Sequence, residues 1–538
     1  MIETYGDVKI VFQSNGGRLY GKIVGKTINI DNGPRKETQE HLGRVVDKEH
    51  LIFWNRKRGI FMYDPFKAAF LPAPESFSSE LKDDGRKKKK QLLDFGDTYF
   101  VSELLKKIHY DEVIDAIPYN NKDTIYSMIC YYTLNSSANC HAQTWYEGNL
   151  CQVLYPDANL TSQRISDFLK AIGGYEVRDA FFKAHIQWLD KYVSKDKASI
   201  LDSTGIPNSI HFRFQATSNH NGKISQEARL IVPIQRDSGF PILFRVVEGN
   251  IVDVSTLVKT ANEMSLRGFS TDLFEFDSGY CSHKNIKELL EKEVEFVTRM
   301  GEDWAEYKAL KAKHAPTLQS EYALVEYKGR YVYVKQVPIT LDGKEVYAYL
   351  CYDVDRAGDE CHKAMKRSKK KARESAKKKP TPKEMHEIFQ NAGLFILLSS
   401  LPYKSEDIIE VYYIRQAIEQ FFDLMKGLAK LAPLRIHSEE AMYGHLLMSF
   451  ISSVISTHIQ NETDEYIDRE ARMFLALRNQ KCIVFQNKIT TYESQSDANY
   501  YYYKKFSIGN PDYFERTDSG WEPKYGLIPM EKDEDDEE

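Results

Sequence analysis

No run of about 20 apolar residues occurs in the chain, so a membrane-spanning helix is not expected. The nearest approach, Ala441 to Ile459, is broken by Gly444, His445, several serines and His458, and reads as a buried helix. No Cys-x-x-Cys pair occurs among Cys130, Cys140, Cys151, Cys281, Cys351, Cys361 and Cys482. An odd, dispersed set of thiols excludes a disulfide framework and a zinc ribbon, and suits small buried hydrophobes in a reducing cytosol. Met1 to Asp7 show neither the basic nor the apolar stretch of a secretory signal. No unit of 20 to 50 residues repeats, which removes solenoids and propellers. A basic excess is missing too: 73 Lys+Arg against 78 Asp+Glu leave a net charge of −5. As an average, that speaks against a nucleic-acid partner.

The average conceals a split. Residues 531–538 hold seven acids and one lysine, whereas 363–379 hold ten Lys/Arg and one Glu. Without the acidic tail the remaining 530 residues sum to +1. The length of 538 residues suggests three or four domains, and 42% hydrophobic residues suffice for several cores.

Residues 1–70 alternate β-branched and aromatic runs with Asn-Gly turns at 15–16 and 32–33, which predicts a small β-rich module. A linker follows at 71–92, with Pro72, Pro74 and the basic run Arg86 to Lys90. The first module with its linker thus occupies 1–95, and DNA-end binding is a candidate role for it. Residues 96–195 read as helical. Ile165, Phe168, Leu169 and Ile172 repeat behind a Thr161-Ser162 cap, and Val177, Phe181, Ala184, Trp188 and Tyr192 form a second stripe after Gly173-Gly174. From 196 to 300 the pattern turns to strands: 199–202, a hairpin of 230–234 and 242–247, then 273–277, a helix at 283–292 and a strand at 294–298. Residues 301–393 read as an insertion with a β segment and the basic run, because strand–helix alternation resumes at Leu394. The second part of the core spans 394–480, with helices at about 406–429 and 439–458. The C-terminal region, 481–538, ends in the acidic tail.

Asp202 and Asp277 each end an apolar strand beside small residues, Ser203-Thr204-Gly205 and Ser278-Gly279. A carboxylate there sits on a sheet rim with its backbone held by the core. Two from neighbouring strands suit a hard cation such as magnesium, although a strand-end Asp is also an ordinary turn residue. On the helix 406–429, Tyr412, Arg415, Glu419 and Lys426 are spaced three, four and seven apart, within one face at about 100° per residue. Alone, that face also reads as a solvated Arg–Glu pair.

Tyr412-x2-Arg415-x3-Glu419-x6-Lys426 resembles the Tyr-Arg-Glu-Lys signature of DDE insertion-sequence transposases of the IS-four superfamily. Leu201-Asp202-Ser203-Thr204 resembles the family's first-aspartate strand. Gly239-Phe240-Pro241-Ile242 with Gly249-Asn250-x2-Asp253 resembles its hairpin and following loop, and Phe276-Asp277-x-Gly279-Tyr280 its second-aspartate motif. The resemblance covers about residues 160–460. It departs at Ser278, where family members often carry Arg.

The resemblance implies an α/β chain with an RNase H-like catalytic core and a β-rich insertion, preceded by a helical region and a small β-rich N-terminal module. It implies Asp202, Asp277 and Glu419 as catalytic residues and ligands of two Mg²⁺ ions, with Mn²⁺ able to substitute. It also implies phosphate contacts from Tyr412, Arg415 and Lys426. Arg299, at a strand end, is a further candidate DNA contact or a plain surface arginine. Trp304 is either an aromatic that stacks on an unpaired base or a core residue. The activity implied is cut-and-paste DNA transposition. The alternatives are a catalytically silent DNA-binding protein and a structure-specific nuclease on the same fold. The partners implied are double-stranded DNA, as terminal inverted repeats and target, and a second copy of the chain in the synaptic complex. No membrane is involved. The compartment implied is the bacterial or archaeal cytosol.

Overall fold

The computed structural model describes residues 2–6, 8–15, 18–28, 36–55, 58–74, 90–207, 216–220, 223–249, 256–320, 324–373, 381–414, 416–427, 438–463, 467–485, 488–492, 498–517 and 520–525. Arg415, residues 86–89, 250–255 and 374–379, and the acidic tail lie outside them. Contacts divide the chain into two units, Met1–Lys90 and Gln91–Glu538.

The first unit is a seven-stranded antiparallel sheet in chain order, from Ile2–Tyr5 to Ala69–Pro72. Alternation sends Ile10 and Phe12, Phe53, and Phe61 and Tyr63 into one core, which Leu42 and Leu51 complete. Gly43 sits at a break in register between two strands, with φ of 105°, a conformation that glycine alone takes without strain.

The second unit is built on a ten-stranded sheet. Its strands are β1 (Ala198–Pro207), β2 (Ala216–His220), β3 (Lys223–Gln235), β4 (Arg245–Glu248), β5 (Leu273–Phe276), β6 (Glu295–Arg299), β7 (Leu324–Tyr327), β8 (Arg330–Leu341), β9 (Lys344–Asp353) and β10 (Leu394–Ser399). The order is β2-β3-β1-β5-β6-β10-β9-β8-β7, with β4 also on β3. β1 is antiparallel to β3, whereas β1, β5 and β6 run parallel. The β segment of 301–393 does not stand apart. It extends this sheet through β10, because Tyr347 to Tyr352 pair with Ser399 to Leu394.

Helices cover the sheet: α1 (Gly96–Lys107), α2 (Lys122–Leu134), α3 (Ser162–Ile172), α4 (Tyr175–Trp188), α5 (Leu257–Leu266), α6 (His283–Glu291), α7 (Val354–Arg373), α8 (Ser405–Ile414), α9 (Gln416–Gly427), α10 (Glu439–Thr463) and α11 (Ile467–Arg478). The helical stretch 96–195 shares its core with the sheet: Phe181, Phe182 and Trp188 of α4 lie in one cluster with Phe240, Phe244 and Phe450. Tyr192, at the end of the expected stripe, is instead partly exposed and stacks on His109. A five-stranded sheet of Gln91–Asp94, Lys481–Phe485, Lys488–Tyr492, Tyr513–Thr517 and Gly520–Lys524 joins the two ends of this unit. Five of the seven cysteines are buried and all are free thiols, as their dispersal predicts. Among the described residues no helix is long and apolar enough to cross a membrane.

Candidate active site

Ile200 and Leu201 are fully buried and anchor β1 in the middle of the sheet. Asp202 follows, half-buried, opposite Val232 of β3. The strand does not end there as its sequence suggests, because pairing with β3 carries β1 on to Pro207. The backbone N–H of Ser203 donates to Asp202 Oδ1 at 2.7 Å. On the other side, β5 runs parallel to β1 with Phe276 opposite Leu201. β5 ends at Phe276, and that register carried one residue further would bring Asp277 level with Asp202. A turn stops β5 there: the N–H of Tyr280 donates to the carbonyl of Asp277 at 2.9 Å, and the Tyr280 ring is fully buried. The Ser278 hydroxyl lies 3.4 Å from Asp277 Oδ1.

Glu419 comes from α9. Ile418, Phe421, Phe422 and Met425 are buried on one stripe of that helix, which packs against β1. The pattern leaves Glu419 exposed, on a helix already in contact with the Asp202 strand. The expected helix 406–429 is described as α8 and α9, with Arg415 between them outside the described residues. The main chain of Lys426 lies in α9, and its side chain is not described.

Tyr412 of α8 stacks on Phe395 of β10, with centroids 5.1 Å apart. Its hydroxyl is 3.4 Å from Arg356 Nη1. Together with Glu419 it lines a cavity of 380 Å³ whose other walls include Arg330, Arg356, Lys363 and Tyr413. Asp359 and Glu360 complete the lining. Asp353, with no exposed surface, anchors this wall. It accepts from Arg330 Nη1 at 3.1 Å, from the Tyr413 hydroxyl, and from the N–H of Arg356 at 2.9 Å as α7 begins. Burial and Asp353 raise the Tyr413 phenol above its ordinary value. Burial alone lowers Arg356, but Glu360 and Tyr412 hold its guanidinium above the usual range. Burial likewise pushes Glu360 up, and the Gly393 N–H and Arg356 outweigh it, so its carboxyl stays below the usual value.

Arg299 sits at the end of β6 and donates to Glu302 at 2.8 Å. Trp304 is buried and stacks on His283 at 3.8 Å, the arrangement of a core tryptophan. Lys363 opens the basic run 363–379, a candidate phosphate contact from the sequence, whereas Arg330 and Arg356 carry no sequence signal. Arg330 and Arg356 lie more than 50 residues before Glu419 and match no motif, so only the fold shows them as neighbours.

The carboxylates suit a hard divalent cation, which takes one or two carboxylates plus water and phosphate oxygens. Among the described residues no three His, Cys, Asp or Glu converge as a preformed metal cluster. The fit therefore rests on the Asp202–Asp277 edge, with Glu419 on the helix against it.

Residues 194–455 match the family model of the transposase DDE domain. The matched segment, a little under half of the chain, is similar to that family. The DDE segment contains every element just described, from β1 to most of α10. Among curated proteins none matches the chain. Among solved structures, one match is the cryo-EM structure of the piggyBac transposase synaptic complex with hairpin DNA. It shows 12% identity and a TM-score of 0.38, over 73% of this chain and 82% of that one. A likeness so slight carries no conclusion.

Proposed function

We propose that the chain is a DNA transposase of the IS-four kind, which cuts the ends of an insertion sequence and joins them to target DNA. One observation carries this reading. Inside a segment that matches a transposase DDE domain, Phe276 pairs with Leu201, the residues just before Asp277 and Asp202, and the helix bearing Glu419 packs on β1. The order β4-β3-β1-β5-β6, antiparallel first and then parallel, supports an RNase H-like core.

Asp202, Asp277 and Glu419 would hold two Mg²⁺ ions, with Mn²⁺ as substitute. Bound there, such ions supply Lewis-acid activation of the nucleophile and charge neutralisation at the leaving oxygen. The protein's own part is placement. β1 and the turn after β5 would hold two carboxylates on a rigid sheet, and α9 would bring the third. Tyr412, Arg415, Lys426 and Arg299 contact backbone phosphates, with arginine offering a fork and lysine a point charge. An attacking water, or later a DNA 3′-hydroxyl, displaces the opposite oxygen directly, so no covalent protein–DNA link is required. The substrates are duplex terminal repeats and target DNA, and two copies of the chain hold the two ends.

The test is Mg²⁺-dependent cutting and joining of a duplex carrying the inverted repeats that flank the coding region. Asp202→Asn or Glu419→Gln is expected to lower cleavage by about a hundredfold or more. Full cleavage by either variant would sink the triad. Cutting without joining would point to a structure-specific nuclease.

A further inference from the structure

Arg330, Arg356 and Lys363 meet in one cavity although none belongs to a catalytic motif. Arg330 comes from β8, and the other two from α7. Both arginines are oriented in advance. Asp353 holds Arg330 by Nη1 at 3.1 Å. Glu360 holds Arg356 by Nε at 2.7 Å, and is itself fixed by the Gly393 N–H at 2.9 Å. A guanidinium has five N–H donors, so a carboxylate on one edge leaves donors for a second oxyanion. Arg356 also reaches the Tyr412 hydroxyl, which ties the insertion to the helix pair that carries Glu419.

Free guanidinium donors, and not net charge, make the seat. The lining's three cations face Asp359, Glu360 and Glu419, with the buried Asp353 behind Arg330 as a fourth carboxylate. So many carboxylates disfavour a polyphosphate and leave room for at most a singly charged oxyanion. A phosphodiester carries one negative charge. Beyond Lys363 the sequence of α7 stays rich in lysine and arginine.

We propose that this cavity seats one phosphodiester of a DNA strand beside Glu419, gripped by Arg330 and Arg356 with Lys363 next to them. The inference rests on the transposase reading of the same site. It adds the insertion as the part that positions the strand.

The experiment uses the full-length protein, a short fluorescein-labelled blunt DNA duplex, EDTA and a salt series. Lys363→Ala is expected to reduce the slope of log affinity against log salt by about 0.9, the effect of one lost phosphate contact. Lys170→Ala removes the same charge from the exposed side of α3 and should leave the slope unchanged. Arg356→Lys keeps the charge but loses the fork, so binding should weaken several-fold at unchanged slope. Arg330 is tested as Arg330→Met with Asp353→Asn, since removing the arginine alone would leave a buried carboxylate unpaired; several-fold weaker binding is again expected. Melting temperatures identify any variant that fails to fold. Wild-type affinity and slope in well-folded Lys363→Ala and Arg356→Lys would overturn the seat. So would a slope change in Lys363→Ala alone, because the arginine fork is its centre. The transposase reading fails separately, through the absence of Mg²⁺-dependent cleavage that Asp202→Asn removes.

Discussion

Glu275 on β5 and Asp277 just past its end stand two positions apart and face opposite demands. In the proposed site Asp277 and Asp202 are like charges drawn together by the β1–β5 register, and a divalent cation would relieve their repulsion. Mg²⁺ at millimolar concentration is therefore expected to raise the melting temperature of the protein, and Asp277→Asn to abolish the rise; a calorimetric scan with and without EDTA reads both. Glu275 is buried at 3% exposure, with Arg236 Nη1 at 3.5 Å and no hydrogen bond to either carboxylate oxygen. Burial pushes its pKa up to about 8, with Arg236 opposing. In the folded chain the group keeps its proton to higher pH than in the unfolded chain. Its contribution is thus fully present below the ordinary carboxylate range and is lost as pH rises toward 8. Glu275→Gln should raise the melting temperature at pH 8 by a few degrees and much less at pH 5. An equal effect at both values would refute the buried, protonated carboxyl.

At the scale of elements, the helical stretch is locked to α10 by close approach and to the chain after β3 by a buried imidazole. α3 and α10 cross where glycines face backbone: a Cβ on Gly444 would lie 2.0 Å from the Leu169 carbonyl oxygen, and one on Gly173 would lie 1.8 Å from that of Glu440. Neither obstacle is a side chain that can turn aside. Gly444→Ala should therefore destabilise the protein by about 1–3 kcal/mol in denaturant unfolding, through overpacking alone. His185 of α4 is fully buried. Its Nδ1 lies 3.0 Å from the Tyr110 hydroxyl and its Nε2 lies 2.8 Å from the Pro241 carbonyl. Burial lowers its pKa to about 4, against the Pro241 carbonyl, which favours the charged form. The unfolded chain takes up that proton first. Stability from this contact is present above pH 6.5 and is lost as pH falls toward 4. Melts at pH 7 and pH 4.5 should show the loss in the wild type and a smaller one in His185→Gln.

At the scale of the whole molecule, charge is partitioned. Residues 1–90 hold 18 Lys/Arg and 12 Asp/Glu, the last eight residues contribute −6, and the net of −5 describes neither. Removing 531–538 should tighten non-specific DNA binding at low salt and leave the melting temperature unchanged; gel-shift titrations in a salt series decide it. An altered melting temperature would mean that the tail packs.

How much of this was legible in the chain depends on range. The apolar runs before Asp202 and Asp277, the hairpin around Arg236 to Gly239, and the stripes of α3 and α9 follow from periods of two and 3.6 among neighbours in sequence. That β1 runs on past Asp202 to Pro207 does not, because its pairing with β3 decides it. The motif spacing of Tyr412, Arg415, Glu419 and Lys426 is likewise local, and it pointed to the family that residues 194–455 match. Other features depend on residues far apart. Bringing Asp277 level with Asp202 needs the parallel register of β1 with β5. That the insertion lengthens the core sheet needs β9 to pair with β10. That Arg330 and Arg356 share a cavity with Glu419 needs both pairings and the buried Asp353. The sequence by itself determined which residues are candidates for chemistry and which faces of helices and strands are apolar, because those are properties of neighbours along the chain. Only the tertiary structure decided which charges confront one another, because strand register and buried ion pairs are settled by packing across dozens of residues.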